Sequence, residues 1–212
     1  MIKLLAIDMD GTCLNQRSRI TPAVLQALTA AHRAGIEIVP TTGRALCCLP
    51  HQLVAHPELY RYAITSNGAR VTELSDHSTL FRAEIPKNMA LELTKSLQDS
   101  HIGRTAHIDH QYLVEGHPLH AMGRMIYGKD ANTSRCIPDM FEEIKAENRD
   151  VEELQFFFFS KKTRQAVRDA LKQFPELCGA YSGVYVEIFH RTASKGSGLA
   201  ALAAQLGLRK EE

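Results

Sequence analysis

The stretch Ile2-Lys3-Leu4-Leu5-Ala6-Ile7-Asp8-Met9-Asp10-Gly11-Thr12 sets the reading of this chain, because an apolar run without alternation leads into two carboxylates spaced two residues apart. Such a run suits a strand of a parallel sheet with helices over both faces. Its acids then lie at the C-terminal edge, where strand becomes loop. A carboxylate there can attack phosphorus when a divalent cation neutralises both it and the incoming dianion. Asp8 is the candidate nucleophile. Asp10 can reach the same side across a turn, protonate the departing oxygen and later draw a proton from water. Gly11 lets the backbone turn close to a ligand, and Thr12 can donate a hydrogen bond. Taken alone, the same residues also fit an acidic loop or a bare cation site.

Downstream, Thr21-Pro22 offers a cap and a first-turn proline, Val24, Leu25, Leu28 and Ala31 trace one helical face, and Gly35 closes the helix. Ile36 to Val39 supplies a second strand, completing a βαβ unit. Thr42-Gly43-Arg44 follows that strand at the same sheet edge, where its hydroxyl and amides can hold phosphate oxygens, or form an ordinary turn. Arg44 can reach a substrate or pair with a carboxylate. A helix interrupted near Pro50 leads to the strand Tyr62-Ala63-Ile64-Thr65 and the turn Ser66-Asn67-Gly68. Asn67 can orient a ligand or simply shape that turn. Arg70 to Leu74 and Thr79 to Ile85 read as a return strand pair leading away from the first sheet.

From about Pro86 the rhythm becomes α+β. Met89, Leu93 and Leu97 mark a helix. Strands follow at Thr105 to Asp109 and Tyr112 to Glu115, a helix near Pro138 to Ala146, the core run Leu154 to Phe159, and a helix carrying Ala166, Val167, Ala170, Leu171 and Phe174. Residues 83–183 are therefore expected to form an inserted domain, with residues 1–82 and 184–212 as a discontinuous core domain. Val184 to Phe189 reads as a half-buried strand of that core. It delivers Lys195 just before a helix with Leu199, Leu202, Ala203 and Leu206 on one face. Placed there, the Lys195 ammonium can neutralise phosphate and Asp8 together, or remain solvated.

Composition narrows the function class. With 44% apolar and 23% charged residues and a formal charge of +1 over 212 residues, the chain has no broad field for nucleic acid. No apolar stretch approaches a membrane span, and Met1 runs into a strand without a signal-peptide pattern, so the expected address is cytoplasmic. The five cysteines have neither CxxC spacing nor an even count, which argues for reduced thiols. His107, His110, His117 and His120, with Asp109 between the first two, invite a zinc reading, but an extended segment would point His107 and His110 to opposite faces, and a turn at Pro118 leaves His117 to His120 without fixed geometry.

These landmarks resemble the haloacid dehalogenase-like phosphatase superfamily, in its Cof-type sugar-phosphatase branch with a large α/β cap. The resemblance spans nearly the whole chain: Asp8-Met9-Asp10-Gly11-Thr12, then Thr42-Gly43-Arg44, Ser66-Asn67-Gly68-Ala69 and Ser194-Lys195-Gly196, in order. It implies a Rossmann-like parallel core sheet with an inserted α+β cap. It also implies catalysis by Asp8, Asp10 and Lys195, phosphate binding by Thr42, Gly43 and Lys195, and support from Thr12, Arg44 and Asn67. Mg2+ is the implied cofactor, at Asp8 and Asp10, and a small phosphorylated metabolite chosen by the cap is the implied substrate. A non-catalytic metabolite-binding or interaction protein descended from such an enzyme is the alternative, and a receiver-like phosphoacceptor fits less well because its paired acids precede the acceptor on a separate strand. The family continues past a segment like Leu206-Gly207-Leu208 into another strand and an acidic fourth motif, whereas Arg209-Lys210-Glu211-Glu212 ends this chain. The expectation is a shortened core with impaired hydrolysis and an exposed edge on the first strand, sealed by a homodimer.

Overall fold

The computed structural model describes residues 1–212, which divide into two compact units, Met1–Arg82 with Ala193–Glu212, and Ala83–Thr192. The first unit opens with β1 (Leu4–Asp8), α1 (Pro22–Arg33), β2 (Glu37–Thr41), α2 (His51–Val54), β3 (Tyr62–Thr65), β4 (Arg70–Glu73) and β5 (Thr79–Arg82). Its sheet runs β1-β2-β3-β4-β5, parallel through β3 and antiparallel beyond. The return pair β4 and β5 thus extends the first sheet instead of leaving it, because the tight Ser66-Asn67-Gly68 turn folds β4 straight back along β3.

Local chemistry explains these elements. The Thr21 hydroxyl accepts from the Val24 amide at 3.3 Å, Pro22 supplies a helical φ, and Gly35 at φ +80° ends the turn after α1. Successive strand residues point to opposite faces, so Ile38 and Ala63 join Met9, Leu28 and Leu53 in one core, while Val39, Tyr62 and Ile64 join Val71 and Leu202 in another. Leu202 comes from the helix Lys195–Gln205, so the strands are covered on both sides. The edge strand β1 is less enclosed than its apolar run suggests, with Leu5 38% exposed. The amides of Lys3, just before it, and of Leu4, its first residue, donate to the Glu212 backbone oxygen at 2.5 and 3.3 Å, and the Lys3 ammonium pairs with the Glu212 carboxylate at 2.8 Å.

The second unit comprises α3 (Lys87–Ser96), β6 (Ile102–Ile108), β7 (Gln111–Glu115), α4 (His117–Tyr127), β8 (Arg135–Ile137), α5 (Met140–Ala146), β9 (Glu153–Phe158), α6 (Lys161–Leu171), β10 (Leu177–Tyr181) and β11 (Tyr185–His190). Its sheet order is β10-β11-β9-β6-β7-β8, parallel only between β7 and β8. Leu93, Ala106, Leu113, Met140, Leu154, Phe156, Val167 and Ile188 form its core.

The return boundary therefore lies at Thr192/Ala193 and not at 183/184. The strand containing Val186 and Ile188 pairs with β9 and β10, and both side chains are buried in the second unit. His117 to His120 lies within α4, where Pro118 occupies the first turn and no amide is lost. The chain then re-enters the first unit as α7 (Lys195–Gln205). No helix is long and apolar enough to cross a membrane.

Candidate active site

Asp8 ends β1 and Asp10 follows across Met9, whose side chain is completely buried in the core. Met9 anchors the turn while the flanking carboxylates stay open, with 38% of the Asp8 and 55% of the Asp10 side chain exposed. Backbone bonds from Cys13 to Asp8 and from Leu14 to Met9, at 3.1 and 2.9 Å, close the loop, and Gly11 at φ +79° provides its left-handed step. Cys13 lies beneath this loop. Burial, and secondarily the Asp8 charge, raise its thiol pKa above the ordinary range.

The Lys195 ammonium reaches Asp8 Oδ1 at 2.5 Å, and the Thr12 hydroxyl donates to Asp8 Oδ2 at 3.3 Å. Lys195 stands at the first position of α7, aligned by a reciprocal cap: Ser194 Oγ accepts from the Ser197 amide and Ser197 Oγ from the Ser194 amide, both at 2.9 Å. The Ser194–Ser197 spacing is itself a helix-start signal in the sequence, beyond the lysine between them. Neighbouring backbone holds α7 in place, since a Cβ added to Gly68, at φ +90°, would lie 2.0 Å from the Ser194 carbonyl oxygen.

Thr42 is almost fully buried beyond the end of β2, where its hydroxyl accepts from the Arg44 amide at 3.1 Å and its carbonyl from the Asn67 amide at 3.1 Å. The Arg44 carbonyl accepts from Ser66 at 2.9 Å, tying the two turns together. Gly43 runs directly under the Asn67 carboxamide, with a built Cβ only 3.0 Å from Asn67 Oδ1. Asn67 itself adopts φ +55°, a conformation asparagine tolerates better than most residues.

Arg44 binds Asp10 through two bonds, Nε to Oδ2 at 2.9 Å and Nη2 to Oδ1 at 2.8 Å. Its Nη1 donates to the Cys48 carbonyl at 3.1 Å. The structure thus brings Asp8, Thr12 and Lys195 into one contact group and Asp10 and Arg44 into another, joined through the Asp8-Met9-Asp10 turn. Thr42, Gly43 and Asn67 form the linked turns beside Arg44. Asp109 and His110, in contrast, occupy the β6–β7 turn of the second unit at φ +48° and +68°, and His107 is buried in β6.

The pyridoxal phosphate phosphatase of Escherichia coli is 27% identical over 141 residues, covering 64% of this chain and 47% of that protein. A putative phosphatase of Bacillus subtilis is 28% identical over 229 residues, covering the whole chain and 79% of that protein. The chain therefore spans less than half of the first relative and about four-fifths of the second. Among solved structures, a haloacid dehalogenase-like hydrolase from B. subtilis superposes with a TM-score of 0.81 at 24% identity, covering 100% of this chain and 81% of that one, which shows a shared fold. The family model for haloacid dehalogenase-like hydrolases matches residues 5–212, from the first strand through the lysine helix, and the chain belongs to that family.

Proposed function

We propose that this chain is a phosphatase of the large-cap branch of its family, hydrolysing small phosphate monoesters through a phosphorylated Asp8. The observation that carries the reading is the Asp8–Lys195 contact at 2.5 Å, a nucleophilic carboxylate beside a cation at a strand end. Both similar proteins named above are phosphatases by name, which supports the reaction class.

In the proposed reaction an Asp8 oxygen bonds to phosphorus as the phosphorus–ester oxygen bond breaks, and Asp10 delivers a proton to the leaving alcohol. Asp10, again a carboxylate, then takes a proton from water as the water oxygen attacks phosphorus. The Asp8–phosphorus bond breaks, releasing inorganic phosphate and free Asp8. Lys195 offsets charge on the phosphoryl oxygens, while Thr42 and Gly43 shape the backbone that holds them.

Magnesium suits this donor set, since it is held through one or two carboxylates together with substrate phosphate oxygens and water. Both carboxylates already have partners, Asp8 in Lys195 and Thr12 and Asp10 in Arg44, and these contacts share the carboxylate oxygens with any bound ion. When bound, the ion supplies charge neutralisation for the two anions that must meet.

The test is phosphate release from a panel of phosphate monoesters with and without Mg2+. Loss of release in Asp8→Asn supports the enzyme; retained release refutes the nucleophile. Saturable binding without release by the wild type favours the non-catalytic alternative. For β1, whose outer edge carries no strand of this chain, the reading includes pairing with a second copy, and a sedimenting monomer would refute it.

A further inference from the structure

Asp10 has the demanding role in the proposed reaction, giving a proton in one step and taking one in the next. Yet it sits on an open loop beside a left-handed glycine, more than half exposed. A carboxylate so placed would ordinarily sample several rotamers. In this structure both oxygens are taken by one guanidinium, through the two bonds of 2.9 and 2.8 Å to Arg44. The Arg44 side chain is only 10% exposed, and its remaining arm is fixed on the Cys48 carbonyl. Its backbone is also tied down, the amide on Thr42 Oγ1 and the carbonyl on the Ser66 amide.

We propose that Arg44 is the positioning residue of this site: a partly buried planar fork that fixes the carboxylate plane of Asp10 and thereby aims it at the leaving-group oxygen and the hydrolytic water. The proposal rests on the phosphatase reading for its catalytic consequence, but the clamp itself is independent of that reading. Only a planar guanidinium can do this. A lysine at position 44 would restore the charge but offer a single point contact, losing control of the carboxylate plane. A misplaced acid–base group costs roughly 100-fold in rate. Arg44 also joins the Thr42 turn to the Ser66-Asn67-Gly68 turn through its main chain, so the same residue sets the phosphate-binding backbone and the proton-transfer group in one frame.

A direct phosphate contact by Arg44 is the competing role. It would require the guanidinium to leave Asp10, and its loss would fall mainly on substrate affinity.

The test compares Arg44→Ala, Arg44→Lys, Asp10→Asn and the double variant Arg44→Ala/Asp10→Asn in the full chain, with p-nitrophenyl phosphate and Mg2+. Expected are a fall in kcat of roughly 100-fold for both Arg44 variants, KM within about twofold, and a double variant no slower than Asp10→Asn alone. A lysine variant with wild-type kcat, a loss confined to KM, or multiplicative losses in the double variant would overturn the proposal. Should Arg44→Ala fail to fold, the lysine variant carries the kinetic test, and its cycle with Asp10→Asn replaces the alanine one. Absence of Asp8-dependent turnover in the wild type would defeat the phosphatase reading instead. The clamp is then decided by urea midpoints without Mg2+: a double-variant shift smaller than the sum of the single shifts is expected, and strict additivity overturns it.

Discussion

Gly68 shows how one residue can govern a site without contributing a functional group. Its φ of +90° is costly for any side chain, and the Ser194 carbonyl lies where a Cβ would go. Gly68→Ala should destabilise the protein by about 1–3 kcal/mol in urea unfolding, and lower turnover because Ser194 immediately precedes Lys195. Lys195→Ala should instead leave stability nearly unchanged and reduce kcat by roughly 10²–10³-fold, measured as phosphate release. The acids and the lysine were legible because strand ends and helix starts mark them locally. The pairing of Asp10 with Arg44 was not, since it spans 34 residues and depends on how two loops meet. The residue types left Arg44 open between substrate and carboxylate, and only the folded chain brings its fork onto Asp10.

At the level of elements, apolar periodicity located most strands and helices but not their partners. Val184 to Phe189 alternates as a half-buried strand of either unit would, yet its partners are β9 and β10, and no local pattern encodes that choice. Pro118 reads as a turn because its first-turn tolerance leaves a helix start and a loop looking alike, and β10 gives no strand signal because Cys178-Gly179-Ala180 lacks a strong apolar run. His107 in β6 gives this unit an acid sensitivity. Burial, opposed in part by Glu152, holds its imidazole pKa down at about 4, and its ring lies 5.2 Å from that of Tyr112. The unfolded chain protonates this histidine near pH 6.5 and the folded one does not, so stability is full above pH 6.5 and falls as pH drops towards 4. The loss should reach about 3 kcal/mol in chemical denaturation across that window, and His107→Gln should flatten it.

Across the whole molecule, each unit owns a separate core, and the second is continuous in sequence from Ala83 to Thr192. That segment expressed alone should give a cooperative thermal transition by circular dichroism, and Phe156→Ala, removing a fully buried ring, should destabilise it by about 3–5 kcal/mol. The first unit has no such independence, because α7 supplies Leu202 to one of its cores after the intervening unit has been traversed. Asp8 and Lys195 are 187 positions apart. During synthesis Asp8 emerges early, and its ammonium partner leaves the exit tunnel only after the whole intervening unit has done so. The contact between them is therefore made only after that unit has been synthesised, however early the first strand is complete.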